Sequence, residues 1–238
     1  ISLIILPICS ALLRYPVASQ ESSITSCIIG YSVLSRPIEL FTLGGGEKHL
    51  LLMGVFHGDE PQGRDLLYML MGELLHRPAL LSGKKALFIP VVNPDGLAKK
   101  TRVNANGVDL NRNFPCSAGG ERQAPAAAVP KIEPETQAVV ETIEKYRPAR
   151  ILSIHAPLRC VNYDGPASAL AMVMAKHNHY PVKSFIGYPT PGSLGTYAGK
   201  ERNYPVITLE LPAVTPEEAW RQNRDALISF ITYNESMI

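Results

Sequence analysis

With 238 residues, 46% of them apolar and 18% charged, the chain can bury a sizeable core and does not have the composition of a disordered segment. Its net charge is +2 and its Lys and Arg residues are scattered, with no basic stripe, which excludes a general nucleic-acid binder. The length suits one domain.

Taken in order, the chain opens with the apolar run Ile1 to Leu13, too short to span a membrane, so no stable membrane insertion is expected. The run has the length of a signal-peptide h-region, and Val17-Ala18-Ser19 resembles a small-residue cleavage site, although Arg14 follows the run directly. Residues 1–20 are read as a leader and 21–238 as the folded domain, with a periplasmic or secreted location expected and a cytoplasmic one as the alternative.

Ser26 to Tyr31 and Pro37 to Leu43 read as two short strands. Leu50 to Phe56 is an uncharged apolar run preceded by Gly44-Gly-Gly46, the mark of a buried strand. A helix over Pro61–His76 follows, with Pro61 at its first position and Leu66, Leu67, Leu70, Leu74 and Leu75 recurring at the helical period. Lys85 to Val92 is another strand, ended by the turn signal Asn93-Pro-Asp-Gly96, after which a loop-rich section runs to Pro130. Helices are predicted over Glu133–Arg147, Ala167–Asn178 and Pro216–Ile231, and strands over Arg150–His155 and Val206–Leu211. Gly187 to Gly199, rich in Gly, Pro, Ser, Thr and Tyr, is read as a loop over a site. This alternation implies a single-domain α/β fold, a mixed, largely parallel twisted sheet with helices on both faces.

The four cysteines, Cys9, Cys27, Cys116 and Cys160, have no metal-type spacing and form no disulfide framework, and free, mostly buried thiols are expected. His57 ends the third predicted strand and Glu60 stands at the start of the next helix. A strand-end imidazole and a carboxylate at a helix N-terminus can converge on one point, the geometry zinc accepts from a two-residue clip. The competing reading is a loop histidine and a charge favoured by the helix dipole. His155 closes the strand Ile151–Ile154, and Glu210 ends the apolar segment Val206–Leu209. In open α/β sheets functional groups gather at such carboxyl ends. A third ligand leaves one zinc position for water, and a general base for that water is the partner a carboxylate needs in so apolar a segment. Arg102 and Arg112 lie in polar loop sequence, where a planar guanidinium can clamp a carboxylate or simply be solvated. The cluster Asn111-Arg112-Asn113, flanked by Leu110 and Phe114, is less easily explained as plain surface.

These motifs in this order, His57-x-x-Glu60, Asn93-Pro-Asp-Gly96, Gly107-Val-Asp-Leu-Asn-Arg-Asn-Phe114, His155 and Thr208-Leu-Glu210, resemble the signature of the zinc carboxypeptidase family. More narrowly, His57-Gly-Asp-Glu60, Ser153-Ile-His-Ala-Pro-Leu158, Thr190-Pro-Gly-Ser193 and Thr208-Leu-Glu-Leu-Pro212 resemble its murein peptide amidase branch, which cleaves the γ-D-glutamyl–meso-diaminopimelate bond of bacterial wall peptides. The resemblance covers roughly Gly30 to the C-terminus. It implies one Zn²⁺ per chain on His57, Glu60 and His155, with Asp109 orienting His57. Glu210 would be the general base and later acid, and Arg102 would steady the oxyanion. Asn111 and Arg112 would hold the free carboxylate of the residue released from a small murein peptide. Tyr197 lies closer to Glu210 than the substrate-binding tyrosine of the family's digestive members and is given no role.

Three rival functions stay open: a general metallocarboxypeptidase on L-peptides, a zinc-dependent deacylase of N-acyl amino acids, and a non-catalytic wall-peptide binder. For specificity, Arg159, Asn162, Tyr163 and Asp164 are read as loop residues after His155. Asp164 is expected near the distal amine of diaminopimelate and Arg159 near its distal carboxylate, the alternative being a solvated surface pair.

Overall fold

The computed structural model describes residues 23–117 and 131–234; the predicted leader and Cys9 lie outside them. Eight strands form one sheet: β1 (Thr25–Tyr31), β2 (Pro37–Leu43), β3 (Lys48–Gly54), β4 (Lys84–Ile89), β5 (Arg150–His155), β6 (Cys160–Asp164), β7 (Val182–Lys183) and β8 (Val206–Glu210). Among the described residues five α-helices accompany it: α1 (Gln62–His76), α2 (Pro94–Lys99), α3 (Pro134–Tyr146), α4 (Ser168–Asn178) and α5 (Pro216–Thr232). The strand order is β1-β2-β4-β3-β5-β8-β6-β7. The β4-β3-β5-β8 centre is parallel throughout, and antiparallel pairing is confined to β1/β2, β2/β4 and β6/β8.

The period of two along each strand sorts the core into two layers. Leu50, Leu52, Leu152, Ile154, Ile207 and Leu209 meet the apolar stripes of α1, α4 and α5. Leu51, Met53, Ile151 and Val206 meet α3 and the apolar side chains of Leu110, Phe114 and Leu194 on the other face. Both faces being covered, β3 needs no polar alternation, which is why Leu50–Met53 reads as an unbroken apolar run. Each such side chain contributes about 1.5–3 kcal/mol by leaving water. No helix among the described residues is long and apolar enough to cross a membrane.

The expected fold is observed, with differences at particular places. β3 stops at Gly54, so His57 stands beyond the strand; Val55 (φ 52°) and a tight turn carry it. Asn93-Pro-Asp-Gly96 starts a helix where a turn was expected: Asn93 caps α2, its Oδ1 accepting from the Gly96 N–H, and Pro94 takes the first helical position. Residues 160–164 are strand β6 where loop was expected, and part of Gly187–Gly199 is a π-helical turn, Gly195–Lys200. Cys27 and Cys160 are free thiols, but Cys27 is exposed and Cys116 half-buried, so only Cys160 matches the expectation of burial.

Candidate active site

Strand alternation places the site. On β5 and β8, residues Ile151 and Val206 face the α3 layer, so Ser153, His155, Thr208 and Glu210 share that face. His155 pairs in register with Glu210, and on the other side of β8 Glu210 lies opposite Cys160. At these carboxyl ends a cleft opens, lined on one side by the segment from Ser184 to Lys200. His57, Glu60, His155, Glu210, Arg102, Asn111 and Arg112, the residues expected to bind metal, catalyse or hold the substrate carboxylate, all line it.

His57 and Glu60 are brought together by a turn in which Glu60 N–H donates to the His57 carbonyl at 3.1 Å. Gly58 N–H donates to the Thr101 carbonyl at 2.9 Å, tying this turn to the loop that carries Arg102. A Cβ on Gly58 would sit 1.9 Å from the Gly96 carbonyl carbon, so here a glycine lets two backbones touch. Asn93 Nδ2 donates to the Phe56 carbonyl at 3.2 Å, and Asp95 accepts from the Leu34 N–H at 2.9 Å and pairs with Arg36. The Asn93–Gly96 motif is thus the frame under the His57 turn. Phe56 in turn stacks on the His155 ring, with centroids 5.6 Å apart.

His57 Nδ1, His155 Nδ1 and the Glu60 carboxylate converge: Nδ1 to Nδ1 is 3.2 Å, His57 to Glu60 Oε1 is 2.9 Å, and His155 to Glu60 Oε2 is 3.1 Å. Asp109 Oδ1 lies 3.1 Å from His57 Nε2. An ionised carboxylate only accepts, so Nε2 carries the hydrogen and a neutral His57 turns its Nδ1 lone pair inward. Two imidazole nitrogens and a carboxylate packed this closely are stabilised by a cation among them. The edges agree with the roughly 3.3 Å expected for tetrahedral zinc with bonds of about 2.0–2.2 Å. Among the described residues, these three form the one group of His, Cys, Asp and Glu side chains able to hold a metal ion. The donor set, two imidazoles and a carboxylate, is one that zinc accepts.

Burial alone would raise the Glu60 carboxyl, but hydrogen bonds and charge from His155 and His57 bring it down to about 2. Burial would likewise raise Asp109, yet His57, Arg102 and Arg112 hold it well below the usual range. Burial lowers and the two carboxylates raise the pKa of His57, with a net rise. Glu210 moves the other way: burial and the Glu60 charge outweigh the attraction of His155 and lift its pKa. Arg102 contacts Asp109 at 3.2 Å and Glu60 at 3.3 Å, so it sits at the rim of the triad, not in free loop. Asn111 Oδ1 accepts from the Leu194 N–H at 2.9 Å, which leaves the amide NH₂ as what Asn111 offers the cleft. Asn113 belongs elsewhere: its Oδ1 accepts from the Glu133 N–H at 2.7 Å and its Nδ2 donates to the Lys131 carbonyl.

The specificity segment is only partly as expected. On β6 the alternation sends Asn162 and Asp164 into the cleft and packs Tyr163 against the opposite core layer. Arg159 does not line the cleft; its guanidinium lies over the Tyr180 ring, 4.9 Å from the centroid. Lys200, at 3.4 Å from Asp164 Oδ1, is the cation beside that carboxylate. Tyr197 is fully buried, whereas Tyr188 lines the cleft and is half exposed. Lys200 and Tyr188 are the residues that sequence reasoning missed. Both fall in or beside the segment read as covering a site, which was the available signal.

The sequence model for zinc carboxypeptidases (peptidase M14) matches residues 13–178, a stretch that contains His57, Glu60 and His155 and stops before Glu210. Murein peptide amidase A of Escherichia coli K12 is 33% identical over 222 residues, covering 86% of this chain and 88% of that protein. Its namesake in Vibrio campbellii is 33% identical over 236 residues, 90% of each. Among solved structures, the murein-tripeptide amidase MpaA of E. coli O157 superposes with a TM-score of 0.72 at 29% identity, covering 88% of this chain and 92% of that one. Carboxypeptidase A of Helicoverpa armigera, at 20% identity and a TM-score of 0.70, shares the fold over 87% of this chain and 67% of its own. On this sequence match, these relatives and a fold that gathers two histidines and a glutamate at one sheet end, the chain belongs to the zinc carboxypeptidase family of hydrolytic metalloenzymes.

Proposed function

We propose that this metallopeptidase cleaves the γ-D-glutamyl–meso-diaminopimelate bond of murein peptides and releases the C-terminal residue. The observation that carries the reading is the placement of Glu210, Arg102, Asn111 and Arg112 around the His57–Glu60–His155 triad in one cleft. The choice of substrate is supported by relatives named for murein peptides that cover nearly the whole chain.

His57, Glu60 and His155 would hold the zinc. Bound there, zinc makes a water acidic and polarises the amide carbonyl. Glu210, held next to His155 by the β5/β8 register, takes a proton and later returns it to the departing amine. Burial lifts its pKa toward the working range, which suits a group that must both accept and give. Arg102 is tethered by Asp109 and Glu60 and offers its remaining N–H groups to the charge that develops on the amide oxygen. The Asn111 NH₂ and the Arg112 guanidinium take the free carboxylate of the released residue.

The test is an assay of the purified, zinc-loaded protein on L-alanyl-γ-D-glutamyl-meso-diaminopimelate and on an ordinary peptide with an α-linked C-terminal L-residue. Release of diaminopimelate from the first, with the second much slower, is expected. Preference for the α-linked peptide would replace this reading by that of a general carboxypeptidase.

A further inference from the structure

We propose that Asp164 and Lys200 form the selective end of the cleft and admit a released residue whose side chain terminates in ammonium and carboxylate on one carbon. The inference rests on the reading above that the cleft receives a peptide C-terminus; diaminopimelate is a residue of this chemistry.

The Asp164 side chain is only 10% exposed, yet Lys200 Nζ at 3.4 Å is the one partner that the described residues give its carboxylate. A carboxylate so placed has acceptor capacity to spare. Burial pushes its pKa up while Lys200 draws it down, and the rise prevails. Room for it has been made deliberately. Gly195 and Gly199, four residues apart on the π-helical turn, both face Asp164. A Cβ on Gly195 would lie 2.1 Å from Oδ2, and one on Gly199 would lie 2.5 Å from the Asp164 Cβ. Any side chain at either position would push the carboxylate out of its place. Asp164, Gly195 and Lys200 all line the cleft, together with Asn162 from the same face of β6. Lys200 itself is 55% exposed on a flexible stem, so its ammonium can swing without disturbing the core.

The charge count then decides what fits. As it stands, the pair is neutral. An apolar side chain entering the cleft would strip water from the ion pair and return nothing. A side chain ending in ammonium alone must share Asp164 with Lys200, leaving two cations on one carboxylate. A side chain ending in both groups gives its ammonium to Asp164 and its carboxylate to Lys200, and every charge keeps a partner. Arg159, stacked on Tyr180, takes no part.

The test crosses two linkages with two C-terminal residues: γ-D-glutamyl or α-L-alanyl at the scissile bond, and meso-diaminopimelate or L-lysine after it. Lysine differs only by lacking the distal carboxylate. In whichever linkage is cleaved, kcat/KM for diaminopimelate should exceed that for lysine by about 10- to 100-fold. In Lys200→Met that ratio should fall by at least about 10-fold, whereas Asp164→Asn should lower both peptides together. Calorimetric binding of free meso-diaminopimelate and free lysine reads the same preference without turnover. Equal turnover or binding of the two residues by the parent protein, or a ratio unchanged in Lys200→Met, overturns the proposal. Cleavage confined to the α-linkage overturns the murein reading instead, and the ratio of the two residues still decides this one.

Discussion

One oxygen of Asp109 joins two parts of the site: Oδ1 lies 3.1 Å from His57 Nε2 and accepts from the Asn111 N–H at 2.9 Å. The carboxylate that fixes the His57 ring therefore also caps the short turn Leu110–Arg112, from which Asn111 and Arg112 reach the cleft. Asp109→Ala should loosen both. Zinc affinity should fall about 10- to 100-fold, measured by competition with a chromogenic chelator. KM should rise as well, because Asn111 and Arg112 lose their anchor. Unchanged metal affinity would mean that Asp109 is only a cap.

Glu210→Gln keeps the shape of the side chain and removes its basicity. The variant should retain one zinc per chain by metal analysis and lose about 10²–10⁴-fold in kcat. Loss of the metal, or activity within a few-fold of the parent, would remove Glu210 from the proposed role.

Burial also sets the pH profile. As a base, Glu210 works when ionised, and its pKa is raised above the ordinary 4.5. Turnover should therefore fall as pH drops through a value above 4.5, and this acid limb should be missing from the residual activity of Glu210→Gln. A rate that holds flat below pH 4.5 contradicts the assignment.

Gly58→Ala touches no proposed ligand, yet its new methyl would overlap the Gly96 backbone at 1.9 Å. The His57 turn must shift away from α2, and the ligands with it. The expected outcome is about 1–3 kcal/mol of lost stability and at least about tenfold weaker zinc binding, by thermal denaturation and chelator competition. Parent-like metal affinity would show that the turn can move without the ligands.

Asp95 supports the frame from below. Burial raises its pKa, but the Leu34 N–H and Arg36 outweigh this and the net shift is downward from 3.8. A carboxylate of this kind stabilises the fold fully above 3.8, and the contribution is lost as pH falls through its lower folded value. Asp95→Asn should cost about 1–3 kcal/mol at neutral pH in urea unfolding. The gap from the parent should narrow below pH 3.8. A gap that persists undiminished in acid would assign the loss to shape and not to charge.

What could be read from the sequence is what lies where a local signal and the tertiary demand agree. His155 and Glu210 end apolar runs, and the runs are central parallel strands, so residue pattern and position coincide. β6 is hard to read because, although Val161-Asn-Tyr-Asp164 alternates apolar and polar residues, the strand is only five residues long and lies between the turn signals Ala156-Pro157 and Gly165-Pro166. The start of α2 reads as a turn because Asn-Pro-Asp-Gly opens a turn and a helix with the same chemistry, and only the Lys99–Lys100 end decides between them. Arg159 and Lys200 look alike as sequence. The left-handed backbone at Arg159 (φ 47°) precedes a strand and the guanidinium lies over Tyr180, whereas Lys200 ends a turn packed on Asp164. No local pattern distinguishes them.

The in-register pairing of His155 with Glu210 has a consequence for how this scaffold can diversify. Their spacing is a rung of a parallel ladder, set by backbone hydrogen bonds between two buried strands. The selective end of the cleft is contributed by β6 and the Ser184–Lys200 segment, on the far side of β8. Substitutions in the outer part of that segment, residues 184–189, which is largely exposed, leave the rung untouched. A library randomised over residues 184–189 should therefore yield variants that differ in which C-terminal residue they release while sharing one acid limb in their pH profiles.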